Sequence, residues 1–340
     1  MKAVVLVGGE GTRLRPLTET IPKPLVPFMN RPFLDHVLDH LAEHGVDEVV
    51  CSSPYLEAVF HAFLETRAGR APAVRWITEA EPLGTAGAIA GARELLDGTF
   101  LALNGDILTD MDLGALAEAH RTRGAVATIA LHRVEDARPF GLVQTGADGR
   151  VVAFREKPAQ PVAAAINAGV YVLEPEALSG VPPGRMVSIE RETYPDLIAR
   201  GEPVYATVAV GYWLDLGTPE AYLQAHADAL DGRIAEYRGA ARPTLSPGAR
   251  VEPGASVGPH VAMGRGAVVA AGAEVDRSVL HADVSVGRDA LVNTSILGPG
   301  SAVGAGAEVR DAVLGERALV EDGARVVGSR VSAGDVVAPA

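Results

Sequence analysis

The chain has one cysteine, Cys51, and only three lysines, Lys2, Lys23 and Lys157, in 340 residues. A single thiol excludes an intramolecular disulfide framework and a thiolate zinc cluster, and it agrees with a reducing compartment. No apolar run approaches the ~18 residues of a membrane span. Gly8 and Gly9 interrupt the apolar start before a secretory core could form, so the expected location is the cytoplasm. Positive charge is also short: 30 Lys and Arg against 43 Asp and Glu leave a net charge of −13. A phosphate backbone needs a positive stripe that releases counterions, which argues against a broad nucleic-acid surface. At this length, with 48% hydrophobic residues, two soluble globular domains are expected.

The chain writes almost all its positive charge as arginine, 27 of the 30 basic residues, so the surviving lysines are informative. Lys23 stands in IPKPL and Lys157 in FREKP. An ammonium on a flexible stem is a point charge, whereas guanidinium is a planar fork that needs room. Two isolated lysines beside prolines suggest two phosphates in tight places.

Apolar runs bounded by glycine, proline and acidic turns alternate with longer helical patterns, the texture of an α/β chain. KAVVLVGG at 2–9 reads as a buried strand, PFLDHVLDHLAEHG at 32–45 as a helix closed by glycine, and DEVVCSS at 47–53 as the next strand. Further strands are expected at 73–77, 99–106 and 125–131, and helices at 55–67, 85–96 and 112–123. Asp148 and Gly149 signal a two-residue hairpin turn between GLVQT and RVVAF, with FREKP at the exit. His36, His40 and His44 have a spacing able to bind a transition metal. They alternate with Asp35, Asp39 and Glu43 and are read instead as a solvated polar face.

From about residue 246 the texture changes to glycine, alanine and valine, with a six-residue beat through Val251, Val257, Met263, Val269 and Val275. Six is neither a helical nor a two-residue period. Met263, Leu280, Leu297, Leu314 and Val331 then advance by 17, which divides into faces of six, six and five. Stacked triangular coils explain the pattern, each burying its inward side chains only against its neighbours.

VGGEGTRLRPLT at 7–18 follows directly on the first strand, where backbone N–H groups can converge on an anion. It has neither the Walker spacing nor a GxGxxG fingerprint, and it carries Arg13 and Arg15. A nucleoside triphosphate is the better expectation. GGEGTRLRPLTETIPKPLVP (8–27), EPLGTAGAI (81–89), LNGD (103–106), FREKP (154–158), INAGVYV (166–172) and GYWLDLGTPEAY (211–222) occur in the order seen in nucleotide-sugar pyrophosphorylases. The chain most resembles the bacterial mannose-1-phosphate guanylyltransferases among them.

The resemblance implies an α/β fold: a Rossmann-like nucleotidyltransferase domain at 1–228, a linker at 229–245 and a left-handed parallel β-helix of hexapeptide repeats at 246–340. It places Leu6, Gly8, Gly9, Gly11, Thr12 and Arg13 on the nucleotide, with Glu79, Gly84 and Thr85 beside the base. Guanine offers two N–H donors on its Watson–Crick edge, and a carboxylate such as Glu79 accepts both, so GTP is preferred; the bland reading of Glu79 is a solvated surface charge. Asp106 and Asp215 resemble the family's metal carboxylates, and Mg²⁺ suits such hard oxygens. Lys23, Gly141, Glu156, Lys157 and Asn167 resemble its sugar-phosphate site.

The implied reaction is attack of a sugar 1-phosphate oxygen on the α-phosphorus of the triphosphate, with loss of pyrophosphate. The nucleophile is already an anion, so the barrier lies in bringing polyanions together. Arg13 is expected on the departing phosphates, Lys23 near the α-phosphate and Lys157 on the sugar phosphate. The partners expected are these two substrates and a second copy of the chain through the β-helix, with no nucleic acid and no membrane. Rival readings are another sugar, cyclitol or nucleotide, an acetyltransferase using His260 or His281, and a catalytically silent nucleotide-sugar sensor.

Overall fold

The computed structural model of the chain describes residues 1–55, 57–155, 160, 162–239 and 241–339. The chain forms two compact units, Met1–Gly9 with His36–Trp213, and Glu10–Asp35 with Leu214–Ala340.

The first unit is a nine-stranded mixed sheet with helices between its strands. β1 (Lys2–Leu6) runs parallel to β2 (Glu48–Ser53), β2 to β3 (Ala73–Thr78), and β1 to β4 (Phe100–Asn104) on its other side. The first crossover passes through α1 (Phe33–Glu43), giving the βαβ unit that the apolar alternation indicates. β1 and β4 read as continuous apolar runs because the sheet is covered on both faces; Val4, Val50, Phe100 and Ala102 have no exposed surface. Cys51 is likewise buried in β2, and burial pushes its thiol up to about 12.

Three details depart from the sequence expectations. The strand expected over 99–106 stops at Asn104; residues 105–106 turn, and Gly105 runs so close to β1 that a Cβ there would lie 2.7 Å from the Leu6 carbonyl oxygen. The helix expected at 85–96 ends at Gly91 and resumes as a 3₁₀ turn over Arg93–Leu95. The hairpin joins Leu142–Thr145 to Val151–Arg155, but its loop is longer than a two-residue turn: Gly146 N–H donates to the Arg150 carbonyl, and Asp148 Oδ1 accepts from Arg150 N–H.

The expected solvated histidine face is also corrected. Asp35 and His36 are only 7% and 5% exposed, and Asp39 accepts from both Arg67 and Arg70. Packing buries the first turn of that face, while Asp39, His40 and His44 stay partly exposed and Glu43 is exposed.

In the second unit, residues 244–337 wind as stacked coils into three parallel sheets of six, six and five strands. Leu245 pairs with Met263 across a first coil of 18 residues; Met263, Leu280, Leu297, Leu314 and Val331 then pair in sequence at the spacing of 17. Inward valines, leucines and alanines make a continuous column. These all-parallel sheets fit the left-handed β-helix. One face has apolar residues outward as well: Ala262, Val279, Ile296 and Val313 pack with Leu14, Leu17, Val26 and Tyr222, the last on α2 (Pro219–Leu230). The stretch expected as linker holds a 3₁₀ turn at Ala235–Tyr237, and Thr244–Leu245 already pairs with Ala262–Met263.

His281 lies 3% exposed beneath α2, its Nε2 3.2 Å from the Tyr222 hydroxyl, which donates to the Pro27 carbonyl. Its Nδ1 has no partner among the described residues, so a second ring proton would find no acceptor. Burial lowers the imidazole pKa to about 4. The unfolded chain takes up this proton below about pH 6.5 while the folded chain does not, so the stability contributed by neutral His281 is present above that pH and is lost as pH falls toward 4. The loss is on the order of 3 kcal/mol. Urea midpoints at about pH 7 and about pH 4.5 should differ less in His281→Gln than in the wild type. Equal pH dependence in both would overturn this assignment.

Candidate active site

Open α/β sheets bind ligands outside the carboxyl ends of their strands, and the first unit gathers several expected site residues there. Leu6 ends β1 opposite Asn104 at the end of β4, and its carbonyl accepts from Gly105 N–H at 2.9 Å, which sets half-buried Asp106 one residue further on. Gly8 follows against Pro54 and Ser53 at the end of β2. Gly9 is exposed.

Glu79 directly follows β3, with its N–H on the Ser53 carbonyl. It is 7% exposed, so the solvated-charge reading falls. Its Oε1 accepts from Ser52 Oγ at 2.8 Å and its Oε2 from Leu83 N–H at 3.0 Å, closing the 79–83 turn. Gly84 opens the helix Gly84–Gly91; behind it, Ala86 N–H donates to the Val187 carbonyl and Val187 N–H to the Leu83 carbonyl. Thr85 Oγ1 accepts from Ile189 N–H at 2.7 Å, so the 188–189 backbone fixes this loop.

Gly141 and Asn167 are brought together, Asn167 N–H donating to the Gly141 carbonyl at 3.3 Å. The Asn167 amide is oriented from both ends: Oδ1 accepts from Gly169 N–H at 3.0 Å, and Nδ2 donates to the Tyr171 hydroxyl at 2.8 Å. Trp213 Nε1–H donates to the Ala168 carbonyl, and its ring stacks on His132 and meets Phe140 edge-on. Sequence reading assigned no role to this aromatic group, although Trp213 stands in one of the quoted motifs. Glu156 and Lys157 lie outside the described residues.

The second unit gathers the charges. Gly11 and Thr12 enter a 3₁₀ turn (Thr12–Leu14) that presents Arg13, and Thr18 Oγ1 ties back to the Gly11 carbonyl at 2.8 Å. Lys23 opens the third 3₁₀ turn of this segment, after one at Leu17–Glu19, and its side chain is 9% exposed. Arg13 Nη2 and Lys23 Nζ each stand 3.8 Å from a different oxygen of Asp215. A Cβ on Gly217 would lie 2.4 Å from Arg13 Nη2, so the guanidinium in this position lies directly against the glycine. Two cations on one half-buried carboxylate form a compact cluster that keeps one net positive charge. An arriving phosphate can occupy one cation while the carboxylate holds the other.

The acetyltransferase histidines have structural roles: His281 packs under Tyr222, and His260 Nε2 lies 2.9 Å from Asp231 Oδ1. No group of three or more His, Cys, Asp and Glu able to hold a metal ion is assembled among the described residues. No described helix is long and apolar enough to cross a membrane.

Comparison with known proteins places this geometry in a family. Residues 2–232 match the nucleotidyl transferase family and residues 241–338 the GMPPB C-terminal domain. The chain is 40% identical over 291 residues to the mannose-1-phosphate guanylyltransferase of Mycobacterium tuberculosis, covering 84% of this chain and 80% of that one. It is 38% identical over 311 residues to the mannose-1-phosphate guanyltransferase of Candida albicans, covering 87% and 85%. The crystal structure of HddC from Yersinia pseudotuberculosis superposes with a TM-score of 0.59 at 29% identity over 66% of this chain and 97% of that one, as does the same protein complexed with GMP-PN. The chain is a transferase enzyme and belongs to the nucleotidyl transferase family.

Proposed function

We propose that the chain transfers a guanylyl group from GTP to mannose 1-phosphate, releasing pyrophosphate and forming GDP-mannose. The names of its relatives support the substrates. The observation that carries the chemistry is the cluster of Arg13, Lys23 and Asp215, whose two cations each lie 3.8 Å from one carboxylate. Arg13 would hold the departing phosphates and Lys23 the α-phosphate, neutralising charge that grows on the bridging and leaving oxygens. Lys157 and Glu156 keep their proposed roles at the sugar phosphate and sugar. Gly141 and Asn167 would orient the sugar, and the pinned Asn167 amide suits reading of a hydroxyl.

Nucleotidyl transferases generally use a divalent metal. We assign Mg²⁺, with Asp106 and Asp215 as its carboxylates. The donor chemistry fits: carboxylate oxygens are hard ligands, and Mg²⁺ takes its remaining ligands from water and phosphate. When bound, the ion would offset phosphate charge and polarise the phosphoryl oxygens. A cytoplasmic, reducing site of action belongs to the same reading, supported by the single buried thiol.

Pyrophosphate release from a panel of nucleoside triphosphates and sugar 1-phosphates tests this reading. GTP with mannose 1-phosphate should give the highest kcat/KM, and no turnover with any pair would favour the sensor.

Glu79 supports guanine as a fixed acceptor. Glu79→Gln is expected to narrow the GTP-to-ATP preference about tenfold, because its amide oxygen stays on Leu83 N–H and its N–H₂, which Ser52 Oγ can accept, offers guanine no second acceptor. Full GTP preference in the variant would move guanine reading to backbone groups near Leu6 to Gly8.

Self-association is proposed through an outer β-helix face. One face is already covered by the chain's own Leu14, Leu17, Val26 and Tyr222, and another carries Glu308, Arg310 and Arg325 in ion pairs. The third presents Leu319 and Val336, 36% and 57% exposed. Glu in place of both should give a monomer by light scattering; a wild-type monomer at micromolar concentration would defeat the proposal.

A further inference from the structure

We propose that Glu190 is a positioning residue that ties the sugar-side amide of Asn167 to the nucleotide-side loop at Thr85, so that the two substrates are read by one rigid hydrogen-bonded chain. The inference rests on the functional reading above, which assigns Asn167 to the sugar and Thr85 to the nucleotide.

Three hydroxyls converge on this carboxylate. Tyr171 donates to Oε1 at 3.2 Å, while Thr85 and Ser188 donate to Oε2 at 3.3 and 3.0 Å. Each hydroxyl has one proton, and the neighbours decide where two of them point. Tyr171 oxygen already accepts from Asn167 Nδ2, so its proton must go to Glu190. Thr85 Oγ1 already accepts from Ile189 N–H, so its proton turns the same way. Burial, and then the Glu190 charge, hold the Tyr171 phenol well above its ordinary pKa, which keeps that proton in place. A centre that receives only donors calls for a group that only accepts.

The consequence runs outward in both directions. At one end the Asn167 amide cannot flip, because Gly169 N–H occupies its oxygen and Tyr171 takes one amide hydrogen; the second amide hydrogen is left for a substrate oxygen. At the other end the loop beginning at Gly84 is held to Ile189. Glu190 lies in a five-residue π-helical turn, Ile189–Thr193, capped by Ser188 Oγ accepting from Arg191 N–H. Such turns are rare and concentrate at functional sites. Here the turn puts a carboxylate between the two recognition segments.

The test uses the full-length enzyme with steady-state kinetics for both substrates. Glu190→Gln supplies a donor where only an acceptor fits. It should raise the KM for sugar 1-phosphate about tenfold, raise that for the triphosphate less, and change kcat by less than about threefold. The kcat/KM ratio between mannose 1-phosphate and glucose 1-phosphate should fall by a similar factor, and Glu190→Asp should restore part of it. Tyr171→Phe, which removes one oxygen, should raise only the sugar KM, and combining it with Glu190→Gln should add nothing, because both cut the same chain. A purely structural role would lower the melting temperature and the fraction of active enzyme while KM and the epimer ratio of the surviving enzyme stay at wild-type values; that result overturns the proposal. If Glu190→Gln does not fold, Tyr171→Phe decides, and an unchanged sugar KM is then the overturning result. Wild-type enzyme inactive on every substrate pair defeats the functional reading and this inference together, whereas active wild type with unperturbed variants defeats this inference alone.

Discussion

Asp215→Asn is expected to lower kcat about a thousandfold at saturating Mg²⁺ while leaving a folded protein, and Asp106→Asn to act in the same direction. The substitution keeps volume and removes charge. At Asp215 that charge lies 3.8 Å from both Lys23 and Arg13, and the Lys23 side chain is only 9% exposed. Asparagine leaves these two cations without their shared counter-charge, so an anionic triphosphate should bind at least as well as before. The signature is therefore a collapsed kcat with an unchanged or lower KM for the triphosphate, a split that a general loss of structure would not produce. Rapid-quench single turnovers, with a melting curve as the folding control, measure it. A kcat within about twofold of wild type would remove Asp215 from the metal site.

Truncation after Leu230 is expected to abolish activity and soluble expression, although every proposed catalytic residue precedes the cut. Leu14, Leu17, Val26 and Tyr222 are each 1–3% exposed, and their packing partners Ala262, Val279, Ile296 and Val313 would be gone. Re-exposing four such side chains forfeits on the order of 5 to 10 kcal/mol, about the whole net stability of a domain. Arg13 and Lys23 ride on the same segment. The truncated chain should lack near-ultraviolet circular dichroism and pyrophosphate release. A soluble truncated protein with more than about a tenth of wild-type kcat would show that the segment stands without the β-helix.

Periodic features were legible in the sequence. The βαβ start follows from apolar runs that only a doubly covered strand tolerates, and the coils follow from a 17-residue spacing that no other regular structure produces. Features set by what meets a residue from elsewhere in the chain were not legible. Glu79 looks like a surface acid until Ser52 Oγ and Leu83 N–H close on its two oxygens. Asp35 and His36 have polar spacing, but tertiary packing buries them. Glu190 sits in SIERET, which in one dimension is an ordinary acidic helix start; its meaning comes from Tyr171 and Thr85, far away in sequence. The assignment of Glu10–Asp35 to the same compact unit as the C-terminal coils had no local signal. A trace existed in the doublets Val279-Leu280, Ile296-Leu297 and Val313-Leu314, since a strand apolar on both sides implies a cover.

The coil spacing also limits how this half of the gene can change length. A one-residue insertion inside a coil turns every later inward side chain outward along all three sheets at once, so single-codon insertions should be purged except at the corners. A whole extra coil disturbs no register. Loss of a coil between Ala262 and Val313 would strip a rung from beneath α2, whereas growth beyond Val336–Val337 touches nothing upstream. Length variation in this half should therefore come in whole coils of 17 or 18 residues and be concentrated at the carboxyl end.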